Sequence, residues 1–162
     1  MIRVELIPTD LLQKYNATVV KLEKGSILFS QSEEATSFFI VQKGKVKMAH
    51  YSDQGREFVQ GYFSDGESFG EPPFFNRKPY PASAIAVTHC TIWKIGREDF
   101  LRLLRENFDA HLRLTEVLSD RLVYKSIMLS EVAVEESDHR LTTLINYFRK
   151  SSGTKKDRKS VV

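Results

Sequence analysis

This 162-residue chain has one cysteine, Cys90, and only four histidines. A lone cysteine excludes an internal disulfide framework, suits a reducing cytoplasm, and cannot hold a cysteine-ligated iron–sulfur cluster within one chain. The histidines, His50, His89, His111 and His139, are scattered and form no His-x-His pair. His89 and Cys90 are adjacent on a strand-like run, so they face opposite ways and cannot ligate one haem or metal from the same side. No nucleophile–base signature is visible either. No apolar run approaches membrane-spanning length, and the N-terminal MIRVELIPTD has no signal-peptide core. The expectation is a cytoplasmic chain with no catalytic residues, no metal ligands and no membrane partner.

What is present is ordinary in amount and uneven in placement. Apolar residues make up 41% and charged residues 28%, enough for a real core. Residues 1–137 hold 17 Lys/Arg against 19 Asp/Glu, a balance of −2; residues 138–162 hold seven against two, a balance of +5. A basic tail on a slightly acidic body points to a polyanion partner or to a solvated end.

Up to residue 96 the pattern is β. VVKL (19–22), SILFS (26–30), SFFIVQ (37–42), KVKMAHY (45–51), REFVQGYF (56–63), SAIAV (83–87) and CTIWKI (90–95) are short runs rich in branched and aromatic residues. Glycine-bearing turns separate them, at Lys24-Gly25, Lys43-Gly44, SDQG (52–55) and SDG (64–66). Such spacing predicts an antiparallel sandwich or barrel. In KVKMAHY, Val46, Met48 and His50 alternate with Lys45 and Lys47, which predicts a strand with one wet face. After Gly96 the period becomes helical: REDFLRLLREN sets Phe100, Leu103 and Leu104 on one stripe, with acids in the first turn. From about Asp109 to Val134 there is neither glycine nor proline, so one long helix is expected. Leu118, Leu122, Lys125, Leu129 and Val132 follow each other at four- and three-residue steps, the a/d seam of a paired helix. The alternative is that this seam packs on the chain's own body. Ser137-Asp138 then reads as a cap for a shorter helix carrying Leu141, Leu144, Ile145 and Phe148.

The stretch FGEPPFFNRKPYPASA (69–84) places four prolines within ten residues, a density that fits neither a paired strand nor a helix interior. It follows DGES, and Gly44 and Gly66 mark the hairpins before it. This ordered set resembles the Crp/Fnr bacterial transcription regulators over about residues 10–150. The resemblance implies a mainly β fold with α elements: an antiparallel β-roll or jelly roll, cyclic nucleotide-binding-domain-like and cupin-like. A long dimerisation helix and a shorter C-terminal helix follow it. The implied segments are a roll with flanking helices at 1–108, the dimerisation helix at 109–136, and the start of a DNA-binding region at 137–162. The dimer interface would be Leu118, Leu122, Lys125, Leu129 and Val132.

In that family the loop after FGE is a phosphate-binding cassette. Gly70 and Glu71 match its ribose end, Phe69 before them is a candidate pocket residue, and Pro72-Pro73 can open its short helix. The phosphate end departs from the pattern. Counting from Gly70, the arginine falls at Pro81, or at Tyr80 if the loop is one residue shorter; its hydroxyl partner falls at Ala82 or Ser83. Removing a cation opposite a buried phosphate costs roughly 2–5 kcal/mol, about two to four orders of magnitude in affinity. Arg77 and Lys78 could bring charge from another direction or remain solvated loop cations. On the long helix, the adjacent hydroxyls that face the base in cyclic AMP binders fall at Lys125 and Ser126, and only Ser126 keeps one. Both departures argue against ordinary cyclic AMP binding. No cofactor is implied beyond a small-molecule effector.

The resemblance implies a homodimer and, through a helix-turn-helix, DNA and RNA polymerase as partners. Only 12 residues follow Lys150, too few for that motif, so DNA binding is expected only if one follows Val162. Two other readings stay open: a cyclic nucleotide-binding-like module that dimerises without an effector, its pocket plugged by Phe74, Phe75 or Tyr80, and a cupin-type metal enzyme, which the scattered histidines disfavour.

Overall fold

The computed structural model describes residues 5–134, with backbone alone from 131, and the separate residues 142, 145, 146 and 149. Those four residues are helical; the rest of the predicted helix around 137–150 and the basic tail lie outside the described residues. The chain divides into two compact units, residues 1–113 and 114–162.

The first unit opens with α1 (Thr9–Lys14), where Leu12 N donates to Pro8 O at 3.0 Å and Leu12 is buried. Eight strands follow: β1 (Thr18–Leu22), β2 (Ile27–Phe29), β3 (Ser37–Lys43), β4 (Lys45–Tyr51), β5 (Glu57–Ser64), β6 (Ser68–Phe69), β7 (Ser83–Ala86) and β8 (Cys90–Gly96). They form two antiparallel four-stranded sheets, ordered β1-β8-β3-β6 and β2-β7-β4-β5, which together make the roll. Between β6 and β7 lies α2 (Glu71–Asn76); after β8 come α3 (Arg97–Glu106) and α4 (Phe108–Val134).

The predicted strands all appear within a residue or two of their expected ends. β6 does not stand out in the sequence, because a two-residue pairing of Phe39 with Phe69 and Ile40 with Ser68 has no periodicity to read. In β4, Val46 and Met48 are buried and Lys45 and Tyr51 exposed, as alternation requires. Ala49, on the outer row, departs from the wet-face expectation: it pairs with Ser83 on one side and Val59 on the other and is fully buried.

Aromatic side chains fill the roll. Phe38 stacks on Phe100 of α3 with centroids 3.9 Å apart, and Phe74 of α2 meets Phe100 edge-on at 5.7 Å. A second group joins Phe29, Phe39, Phe69 and Tyr80. The β3–β4 hairpin needs its glycine: Gly44 sits at φ +107°, and a Cβ there would come within 2.5 Å of the His89 carbonyl and 2.9 Å of Cys90 Sγ. Asn107 joins the last two helices, its side chain donating to Leu103 O at 2.9 Å while its carbonyl accepts from His111 N at 3.1 Å.

Candidate functional site

The proline-rich loop is built as a cradle. β6 ends at Phe69, and Gly70 turns left-handed at φ +77°. Pro72 and Pro73 then occupy the opening of α2, where a missing N–H costs nothing. Arg77 closes the helix in the left-handed region at φ +56°, and Lys78 N donates to Pro73 O at 3.0 Å. The return leg is tied to the β2–β3 connection: Tyr80 N donates to Glu33 O and Ser32 N to Tyr80 O, both at 2.8 Å. Pro79 bridges to Glu34, and His50 Nδ1 of β4 donates to Pro81 O at 3.2 Å.

At the expected phosphate end the space holds a phenol. Tyr80 is 3% exposed, and its ring stacks on Phe29 with centroids 3.6 Å apart and planes 14° from parallel. Its hydroxyl donates to Ser37 O at 3.3 Å. Burial, followed by the charges of Glu33 and Glu71, pushes its pKa from 10.0 to about 12. The other register position, Pro81, is exposed. Of the two candidate hydroxyl positions, Ala82 is fully buried, and Ser83 Oγ accepts from Gln31 N at 2.9 Å.

The structure brings Phe69, Gly70, Glu71, Tyr80, Ala82 and Ser83 together as buried residues; Glu71 is 2% exposed. Pro72, Arg77 and Lys78 lie on the exposed side of the loop. Of the three aromatic candidates for a plug, Tyr80 lies against Gly70, its Cε1 3.3 Å from where a Cβ would stand. Phe74 turns to Phe38 and Phe100, and Phe75 remains 36% exposed. On α4, Lys125 and Ser126 are exposed, and Ser126 Oγ donates back to Leu122 O at 2.9 Å. Along the seam Leu118 is half-buried, Leu122 and Leu129 are exposed, and the side chain of Val132 lies outside the described residues.

Two further residues shape the cassette without a sequence signal of their own. Phe29 supplies the face on which Tyr80 stacks. Arg97, the first residue of α3, donates from Nη1 to Phe74 O and from Nη2 to Phe75 O at 3.3 Å, with its guanidinium 4.9 Å from the Phe74 ring centre. It thereby caps carbonyls that the short α2 leaves unpaired. A separate cleft of about 380 Å³, lined by Leu11, Phe108, Ala110 and Arg113 among others, involves none of the cassette residues. Among the described residues no group of three or more His, Cys, Asp or Glu side chains could hold a metal ion, and no helix is long and apolar enough to cross a membrane.

A two-sheet antiparallel roll, a glycine-led loop with a short helix inserted between β6 and β7, and a long helix after α3 define a β-roll domain of the cyclic nucleotide-binding class. The chain belongs to the cyclic nucleotide-binding domain family, whose pattern matches residues 19–107. Among its relatives is the cAMP-activated global transcriptional regulator CRP of Salmonella typhimurium, 27% identical over 128 residues, which are 78% of this chain and 61% of that protein. The chain thus spans about three fifths of the length of the curated relatives it matches. Among solved structures, the Thermus thermophilus catabolite activator protein superposes with a TM-score of 0.70 at 27% identity, covering 76% of this chain and 58% of that one. The sensor domain of the transcriptional regulator DNR from Pseudomonas aeruginosa gives 0.60 at 29% identity, covering 71% and 76%. Crp-type regulators are thus found among both its relatives and its fold neighbours.

Proposed function

We propose that this chain is the effector-sensing and dimerisation part of a Crp/Fnr-like transcription regulator, and that its cassette does not take cyclic AMP in the ordinary way. The observation that carries this reading is Tyr80, buried between Phe29 and Gly70 where one register of the family pattern calls for an arginine. A phenol held neutral cannot offset a phosphate charge. The exposed Leu122 and Leu129 of α4, 67% and 71% exposed in the single chain, support a helix-to-helix dimer through Leu118, Leu122, Lys125, Leu129 and Val132. If a helix-turn-helix follows Val162 in the whole protein, DNA and RNA polymerase would be its further partners.

A second reading, that the roll works with no effector and serves only to dimerise, is favoured by the same Phe29–Tyr80 stack. Thermal unfolding tests both readings together. A ligand present at 100 times its Kd stabilises by about 2.7 kcal/mol and raises Tm by several degrees. Millimolar cyclic AMP or cyclic GMP is expected to leave Tm unchanged; a clear upward shift with either overturns the proposal.

A further inference from the structure

β5 is the outermost strand of its sheet, with β4 on one side and, among the described residues, no strand on the other. Edges this long are normally blunted by lysine, proline or an inward charge, because their free N–H and C=O groups template pairing with another chain. Residues 57–64 read Glu-Phe-Val-Gln-Gly-Tyr-Phe-Ser: no lysine, no proline, and one charge at the first position. Phe58 is 66% exposed and Tyr62 55%. Two devices blunt it: a bulge, since β4 passes from partner Gly61 to partner Val59 and leaves Gln60 over, and a turn at the last residue, where Ser64 N donates to Glu67 Oε2 at 2.8 Å and Ser64 O accepts from Glu67 N at 2.9 Å.

That bulge fixes which residues share a face. Glu57, Val59, Tyr62 and Ser64 stand with Tyr51, Ala49, Lys47 and Lys45; Phe58, Gly61 and Phe63 stand with His50, Met48 and Val46. Two β5 strands meeting antiparallel about a two-fold axis, with all eight residues overlapping, would set Glu57 opposite Ser64, Phe58 opposite Phe63, and Val59 opposite Tyr62. Each of these pairs joins residues of the same face. A slip of one residue would set Phe58 against Tyr62, which stand on opposite faces, and the pleat forbids it. The matching register also complements charge. Lys45 is the β4 partner of Ser64, so the second copy's Glu57 would stand two strands away from it in the same row, about 10 Å at Cα, a gap that these two long side chains can close. Lys45 already leans over the Tyr62 ring at 4.8 Å, and Glu57 already accepts from Lys47 and from the Tyr51 hydroxyl.

We propose that β5 is an interaction edge and that its occupant is β5 of a second copy of this chain, joining two four-stranded sheets into one of eight strands. The register makes the proposal testable independently of any pairing through α4. Under mild oxidation the double variant V59C/Y62C is expected to form a disulfide-linked dimer, because those positions face each other across the two-fold axis. F58C/Y62C, which reports the slipped register, is expected to remain unlinked, like the native chain with its buried Cys90. Adding Gln60→Lys to V59C/Y62C should abolish the link while circular dichroism stays native. Equal linking of both cysteine pairs, or none in V59C/Y62C, overturns the proposal. The second of those results is also the one expected if the edge instead receives an extended segment of a different protein.

Discussion

At Gly70 a Cβ would come within 3.3 Å of both Phe29 Cζ and Tyr80 Cε1, on a backbone already at φ +77°. Gly70→Ala should therefore cost about 1–2 kcal/mol from the left-handed backbone alone, measured as a lower urea midpoint with unchanged slope. Tyr80 gives a pH-dependent test. Below its unfolded pKa near 10.0 the phenol is neutral in both states, and its burial is fully compatible with folding. Between 10.0 and about 12 the unfolded chain ionises first, so the native state loses stability as pH rises. The native protein should lose stability over that window faster than Tyr80→Phe, which has no proton to release there. Parallel stability curves for the two would contradict the assignment. Near neutral pH, Tyr80→Phe should cost only about 0.5–1.5 kcal/mol, the worth of the hydrogen bond to Ser37 O. At this scale the sequence was informative about what is missing: counting from Gly70 finds no arginine at either register position. It carried no sign of Phe29 as the stacking partner, because that contact joins residues 51 apart through the closure of the roll.

Among the helices, α2 is held by a side chain from another element. Six residues leave most of its carbonyls without intrahelical donors, and Arg97 supplies two hydrogen bonds from the start of α3. Arg97→Ala should speed amide exchange within α2 and cost about 1.5–3 kcal/mol, as expected for hydrogen bonds from a charged donor; Arg97→Lys should recover only part of this, since one ammonium cannot reproduce the fork. Exchange rates in α2 that do not change in Arg97→Ala would rule out this capping role. The strands were legible because each has branched or aromatic residues between glycine turns, and α3 and α4 because their runs lack breakers. β6 was not legible, being two residues long. The four prolines correctly marked a loop, and its internal α2 matched the short helix that the family pattern led one to expect after FGE. The burial of Ala49 could not be read from KVKMAHY, since it depends on pairing with Ser83 and Val59 far along the chain.

For the whole molecule, the dimer proposed through α4 and the function proposed for the cassette make separate demands. Leu122→Lys with Leu129→Lys should halve the mass attributable to α4 pairing in sedimentation, while leaving the far-ultraviolet spectrum of the roll unchanged; an undiminished mass would place the interface elsewhere. The fold class was the most legible feature of all, because regular strand spacing, the FGE cassette and an uninterrupted helix converge on one architecture. Ligand chemistry was less so, because it turns on where a single loop directs its side chains. The most direct test of the central claim is isothermal calorimetry of the purified chain with cyclic AMP, run beside Tyr80→Arg, which restores the guanidinium at the register that keeps Ser83. The native chain is expected to give no binding heat at micromolar ligand. A micromolar Kd for the native chain, with Tyr80 in place, would contradict the account.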